Sequence, residues 1–321
     1  MKPIIRQLAI IGQGLIGSSI TRAAVKHGVA QSVVVTDTSA KVRDRVRELG
    51  LGVAKVVDSN AEVVKDSDFI IACIPVGQFG ALAEEIGNRI EPDAIFSDVG
   101  SVKGSIVRDV ERFIPKNVNF VPAHPLAGTE YSGPDSGKES LFVNRWCILT
   151  PLGDHESAAV QKAVAFWQAL GSQVQLMSVE HHDRVLALTS HVPHLIAFTI
   201  FQTALDQEKV TNSEVMKFSA GGFRDFTRIA SSNPTMWRDI FLNNKDAVLE
   251  VLQQFEVDLH KLTKAIKDDD AETLFEILSE SRTTRRKVIE KEHISVVTEK
   301  ARRQKKAKQE AVLSRPYSSQ D

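Results

Sequence analysis

The sequence predicts an α/β chain, with a doubly wound parallel sheet followed by an all-helical domain. Three observations carry that prediction. Short β-branched apolar runs alternate with amphipathic stretches through the first half. A G-x-G-x-x-G string joins the first such run to the first amphipathic stretch. Past about residue 179 the strand signal stops and helical periodicity takes over.

In chain order, "LAIIG" (8–12), "VVVTD" (33–37), "DFIIACIP" (68–75), "AIFSDVG" (94–100) and "VNFVPA" (118–123) read as buried strands. Between them "GSSITRAAVKHG", "SAKVRDRVRELG", "GQFGALAEEIGNRI" and "KGSIVRDVERFI" read as the covering helices. "RWCILTP" (145–151) and "SQVQLMSV" (172–179) are expected to extend the same sheet, around a helix at "AAVQKAVAFWQALG". The helical half runs through "HHDRVLALTS", "HLIAFTIFQTALDQ" and "TNSEVMKFSA" to one long helix from Pro234 to about Lys267. Asn233 is placed to cap that helix, with Pro234 at its first position. Asp269 and Glu272 have the spacing of a capping box for one more helix. Trp237, Ile240, Phe241, Val248, Leu252, Phe255, Leu259, Leu262 and Ile266 trace an apolar stripe that a second copy of the chain could cover, which predicts a homodimer. The expected divisions are residues 1–178 for the sheet domain, 179–298 for the helical domain and 299–321 for a basic, solvated tail.

Composition narrows the function classes. The 321 residues are 42% hydrophobic and 25% charged with a formal net charge of −1, which argues against nucleic acid or a membrane surface as partner. Cys73 and Cys147 lie in apolar strand runs, far from any paired-ligand spacing. Arg6 and Gln7 interrupt the first apolar run, so no signal peptide is read there, and no apolar stretch is read as long enough to cross a bilayer. A cytoplasmic protein is expected.

Gly12, Gly14 and Gly17 allow a tight turn, close approach of backbone to a pyrophosphate, and close helix–strand packing. This is the Rossmann fingerprint in its confirming context, after a strand and before a helix. Asp37, at the end of the second strand, suits an adenosine ribose and repels a 2′-phosphate, so the expected cofactor is NAD. Leu15 and Ile16 in the loop, and Ile74, Pro75 and Ser101 after the later strands, are expected along the cofactor. Lys41 and Arg43 read as facing water on a mixed-charge helix.

"HPLAGTEYSG" (124–133) reads as an irregular loop with nothing to build a core, yet it carries a histidine. An isolated His is more often structural. Here His124 and Ser101 both follow strands at the C-terminal edge of the sheet, where such folds bind ligands. His191 and His194 in "SHVPH" have no third ligand at metal spacing, so no metal site is predicted.

Taken together, "GQGLIGSS", "DVGSVKG", "HPLAGTEYSG", "SHVPH" and "GGFRDFTRIASSNPTMWRDIF", in that order over about residues 8–295, resemble the prephenate and arogenate (cyclohexadienyl) dehydrogenases of tyrosine biosynthesis. The resemblance implies NAD-dependent oxidative decarboxylation, and with the glycine loop beginning at residue 12 and little room after the helical half a monofunctional form is expected. Hydride leaves ring C4, carbon dioxide departs from the opposite carbon and the ring becomes aromatic. It implies His124 as the base for the 4-hydroxyl and Ser101 as its companion beside the nicotinamide. Thr129 is implied in the pocket floor and Arg228 on the ring carboxylate. His194, with His182 as a second candidate, is implied near the ring's side chain. Trp237 is implied in a substrate pocket of its own subunit or the partner's. A neutral His124 predicts that kcat/KM falls below about pH 6.5, its ordinary pKa. Two rivals share the architecture: a β-hydroxyacid-type dehydrogenase, which would need a catalytic Lys on a glycine-rich helix, and a non-catalytic NAD sensor.

Overall fold

The computed structural model describes residues 2–129, 131–208 and 217–289. In β1 (Ile5–Ile11), Leu8 and Ile10 enter one apolar cluster while Ala9 and Ile11 enter another. Alternate residues are thus buried on opposite faces, as in a parallel sheet covered on both sides. The strand leads to α1 (Leu15–His27), β2 (Ala30–Thr36), α2 (Ala40–Leu49), β3 (Lys55–Val56), α3 (Asn60–Val64) and β4 (Phe69–Ala72). Next come α4 (Phe79–Ile86), β5 (Ile95–Asp98), α5 (Gly104–Val110) and β6 (Asn119–Phe120). The sheet is parallel, in the order β3-β2-β1-β4-β5-β6. The order reverses between β1 and β4, which opens a crevice at the strands' C-terminal ends.

The chain then departs from expectation. The run 118–123 does not continue as one strand, and the later strands do not extend the parallel sheet. Instead β7 (Ala123–Pro125), β8 (Trp146–Leu149) and β9 (Gln173–Leu176) form a separate three-stranded sheet, in which β7 pairs antiparallel with β8. The cause lies at the junction. Pro122 has no N–H to give a ladder. Both backbone groups of Ala123 are taken by side chains: its N–H donates to Asp98 Oδ1 at 3.1 Å and its carbonyl accepts from Lys103 Nζ at 2.6 Å. The ladder with β5 therefore stops after Val121. Between β8 and β9, α6 (Ala158–Ala169) starts at Ser157, whose hydroxyl accepts from Val160 N–H.

Beyond β9 lie α7 (Val179–Leu186), a π-helical turn (Ala187–His191), α8 (Val192–Glu208), α9 (Gly221–Thr227), a 3-10 turn (Arg228–Ser231), α10 (Pro234–Asn243) and α11 (Lys245–Lys267). The π turn joins its neighbours into a continuous helix over 179–207, which by length and composition could cross a bilayer. This corrects the expectation that no stretch is long enough. Asn233 caps α10 as expected, its Oδ1 accepting from Met236 N–H at 3.1 Å. The expected single helix to Lys267 is broken at Asn244, where φ is −112° and ψ 33°. The break turns the Asn244 amide inward, donating to Asp183 O at 2.9 Å and facing His191 Nδ1 at 3.0 Å.

Trp237 and Ile240 of α10 join the apolar cluster formed by α3, α4 and α5. Residues through Leu252 form one compact unit and those from Gln253 a second. In the second unit residues 271–289 are helical, and their cap is Asp270, whose Oδ1 accepts from Thr273 N–H at 3.0 Å. The capping box expected at Asp269 is therefore displaced by one residue. Asp269 stands at φ +52°, and its N–H returns to Ile266 O at the end of α11. Residues 299–321 and most of "TNSEVMKFSA" lie outside the described residues.

Candidate active site

The glycine loop is fixed by contact. At Gly12, φ is +88° and a Cβ would sit 2.3 Å from Cys73 O; at Gly17 it would sit 1.9 Å from Gly12 O. At Gly14 a Cβ would meet nothing within 4 Å. Two glycines are thus required by packing, and the third leaves open room beside the first turn of α1, whose N–H groups no side chain caps. Leu15 and Ile16 are half-buried at the head of α1. Across the crevice, Ile74 is half-buried and Pro75 exposed just past β4.

Asp37 follows β2 and accepts from Gln13 N–H at 2.8 Å and Ser39 N–H at 2.9 Å, one bond on each oxygen. Both oxygens keep lone pairs for a ribose diol. Arg43 does not face water as expected. Its side chain is 14% exposed, donating to Asp37 O at 2.7 Å and to Asp58 Oδ1 at 3.0 Å. It braces the turn that presents Asp37.

His124 stands in a strand rather than a loop. It pairs with Ile148 in the register of β7 and β8, and the irregular segment begins only at Leu126. Residue alternation in so short a strand suffices to aim the ring. His124 is 8% exposed, and its Nδ1 lies 2.9 Å from His182 Nε2. Its Nε2 makes no hydrogen bond among the described residues and is not sealed from solvent. Burial first, then the neighbouring His182, Lys103 and His191, push its pKa well below the ordinary value.

His182, expected as a substrate ligand, is fully buried on α7, where it meets Asp183 Oδ1 at 2.8 Å through Nδ1. Substrate cannot reach a ring so enclosed. Asp183 also accepts from the backbone N–H groups of Lys103 and Gly104, each at 2.8 Å. Burial pushes its carboxyl up, but the bonds from His182, Lys103 and Gly104 outweigh this and hold it below the usual range. Lys103 itself is fully buried, its ammonium on the Asp98 carboxylate. Ser101 is half-buried in the loop ahead of Lys103, with no hydrogen bond to His124 among the described residues.

His194 donates from Nδ1 to Ser190 O at 2.8 Å and stacks on Trp237, with ring centroids 3.7 Å apart. Burial chiefly pushes its pKa down, the Ser190 bond opposes this, and the charge of Arg228 adds to the lowering. Arg228 therefore lies within electrostatic reach of His194. It is exposed and makes no ion pair among the described residues. Trp237 is 6% exposed and supports His194 from within the same chain. Thr129 is exposed, its hydroxyl accepting from Tyr131 N–H at 3.3 Å. His191 turns away from His194 toward Asn244, and burial pushes its pKa down to about 4. Burial pushes the Cys73 and Cys147 thiols up, which leaves them unreactive. A cavity of about 590 Å³ bordered by Val110, Phe120 and Pro151 contains none of these residues.

Sequence reasoning missed Asp98, Lys103, Asp183 and Asn244. Asp183 directly follows His182, and Asp98 and Lys103 flank Ser101 in "DVGSVK", so adjacency was the available signal.

Residues 20–176 match the family model described as prephenate dehydrogenase, nucleotide-binding domain, and residues 178–280 match prephenate dehydrogenase, dimerization domain. The cyclohexadienyl dehydrogenase of Zymomonas mobilis is 42% identical over 282 residues, covering 88% of this chain and 96% of that protein. The prephenate dehydrogenase of Bacillus subtilis is 35% identical over 269 residues, covering 84% of this chain and 72% of that protein. Among solved structures, prephenate dehydrogenase from A. aeolicus in complex with hydroxyphenyl propionate and NAD+ superposes with a TM-score of 0.81 at 32% identity, covering 88% of this chain and 98% of that one.

Proposed function

The chain belongs to the prephenate dehydrogenase family, and from that premise we propose which of its residues perform the NAD-dependent oxidative decarboxylation of prephenate or arogenate. The protein is an NAD-dependent dehydrogenase of tyrosine biosynthesis. Its open space at Gly14 and the two-oxygen carboxylate of Asp37 fit a dinucleotide with an unmodified ribose. NAD+ supplies the acceptor for the hydride that leaves ring C4.

His124 takes the proton of the 4-hydroxyl on Nε2, the nitrogen that His182 leaves open. It is able to do so because burial and nearby positive charge keep it neutral at physiological pH. That pairing of a neutral ring with one free nitrogen at the crevice is the observation that carries the assignment. Ser101 positions the hydroxyl beside the nicotinamide face, and Thr129 with the backbone of 126–129 forms the pocket floor. Arg228 holds the ring carboxylate, a planar fork suited to a bidentate contact. His194 faces the ring's side chain, and Trp237 fixes its plane. Arg228 serves affinity more than turnover, because the carboxylate it grips is lost in the reaction.

The functional division we adopt is 1–178 for cofactor and base and 179–298 for substrate and pairing, consistent with the two matched segments. A homodimer is supported by the dimerization-domain match and by exposed Leu188, Ile200, Phe218, Leu242 and Leu249. Covering these side chains in a second copy accounts for the apolar 179–207 helix without a membrane. With both cysteines free, a soluble enzyme of the reducing cytoplasm is the reading we adopt. The deciding measurement is NADH formation by the purified protein with prephenate and with arogenate. Turnover of either that disappears in His124→Asn is expected; unaltered turnover in that variant overturns the base assignment.

A further inference from the structure

We propose that Asp183 and His182 are positioning residues that fix the tautomer of His124, so that only its Nε2 can act as base. This rests on the reading of His124 as the base and extends it inward by two residues.

Each link follows from the one before. Asp183 is held as a carboxylate by three donors, and a carboxylate only accepts. The His182 nitrogen that meets it at 2.8 Å, Nδ1, must therefore carry hydrogen. Burial drives His182 toward the neutral form against the pull of Asp183, so its Nε2 holds a lone pair. That lone pair faces His124 Nδ1 at 2.9 Å. Two lone pairs would repel at this distance, so Nδ1 of His124 carries hydrogen and its Nε2 is the acceptor. The remaining charged and titratable neighbours are the Lys103 ammonium with its Asp98 partner, and His191; Lys103 and His191 both oppose protonation of the His124 ring.

The same carboxylate has a second task. It binds the N–H groups of residues 103 and 104, two positions past Ser101, and so registers the base against the loop expected beside the cofactor. Its own backbone carbonyl is held by Asn244 from the break before α11. Base, loop and helix are tied to one side chain. A histidine oriented by a buried carboxylate is a recurrent solution; here a second imidazole is interposed.

The test uses the full-length enzyme and three readouts. Nitrogen-15 NMR of the wild-type ring should show His124 protonated at Nδ1 and bare at Nε2; hydrogen on Nε2 overturns the proposal without any substitution. Asp183→Asn places an amide that can donate to His182 and reverse both tautomers. Its kcat should fall by about 10²–10⁴ with KM changed only a few-fold. A kcat within three-fold of wild type overturns the proposal. His182→Gln supplies an amide oxygen where Nε2 stood and should retain at least ten times the kcat of His182→Leu; equal losses overturn the tautomer role in favour of packing. If His124→Asn is itself active, the base reading fails; if it is inactive while Asp183→Asn and His182→Leu turn over normally, the relay alone fails.

Discussion

His124, the proposed base, is 8% exposed and bonded through His182 to a carboxylate, and its strand is pinned by the Asp98–Lys103 pair. Arg228, the proposed carboxylate ligand, is exposed, begins a short 3-10 turn and makes no ion pair among the described residues. On the proposed assignment the base is oriented before substrate arrives, so little reorganisation remains for the reaction. The proposed carboxylate ligand is exposed to water, which suits capture. The proposed roles thus separate preorganisation from affinity.

The largest expected effect belongs to the proposed base. His124→Ala should lower kcat by about 10²–10⁴, the usual worth of a positioned base; steady-state kinetics showing a pure KM effect would erase the contrast between the two residues. Arg228→Ala should instead raise KM about 10–100-fold, equivalent to roughly 1.4–2.8 kcal/mol of binding, with kcat within a few-fold. Equal losses of kcat in the two variants would merge the roles.

The acid limb sharpens the comparison. With His124 pushed below its ordinary pKa by burial, the acid limb of kcat/KM is expected below pH 6.5 rather than at it. The same depression has a stability consequence. Below pH 6.5 the unfolded chain binds protons that the folded His124, His182 and His191 refuse, so stability declines as pH falls from 6.5 toward the pKa of about 4 at His191. For each such histidine the slope is at most about 1.4 kcal/mol per pH unit, measurable by denaturant unfolding across that window. The smallest effect is expected at Asn244→Ala. It leaves Asp183 O and His191 Nδ1 buried without their donor, costing about 1–3 kcal/mol of stability, with KM for substrate little changed.

The cofactor half was legible because each of its requirements is local. A glycine spacing, a strand's alternation and a carboxylate at the next strand's end all lie within a few dozen residues, and Gly12, Gly17 and Asp37 have the surroundings their types imply. The setting of the proposed base depends on pairs remote in sequence. Lys103 N–H meets the Asp183 carboxylate across 80 positions, and Asn244 meets Asp183 O across 61. Lys103 in a motif reads as a surface charge until Asp98 is seen buried beside it. Asn244 interrupts an apolar stripe by a single polar residue, which periodicity absorbs as noise. β7 looked like a continuation because the side chains that occupy Ala123's backbone groups come from elsewhere in the chain.

That departure of β7 from the main sheet also bears on how the enzyme can be adjusted. The imidazole rides on a three-strand patch whose register partners are Cys147, Ile148 and Leu149, all buried. Cys147 and Leu149 also share one apolar cluster with Leu8, Ile10, Val33 and Val35 of the parallel sheet, so a methyl group gained or lost beneath the ring would tilt it through packing that both sheets share. Turnover can therefore drift by substitution at core sites remote from the crevice.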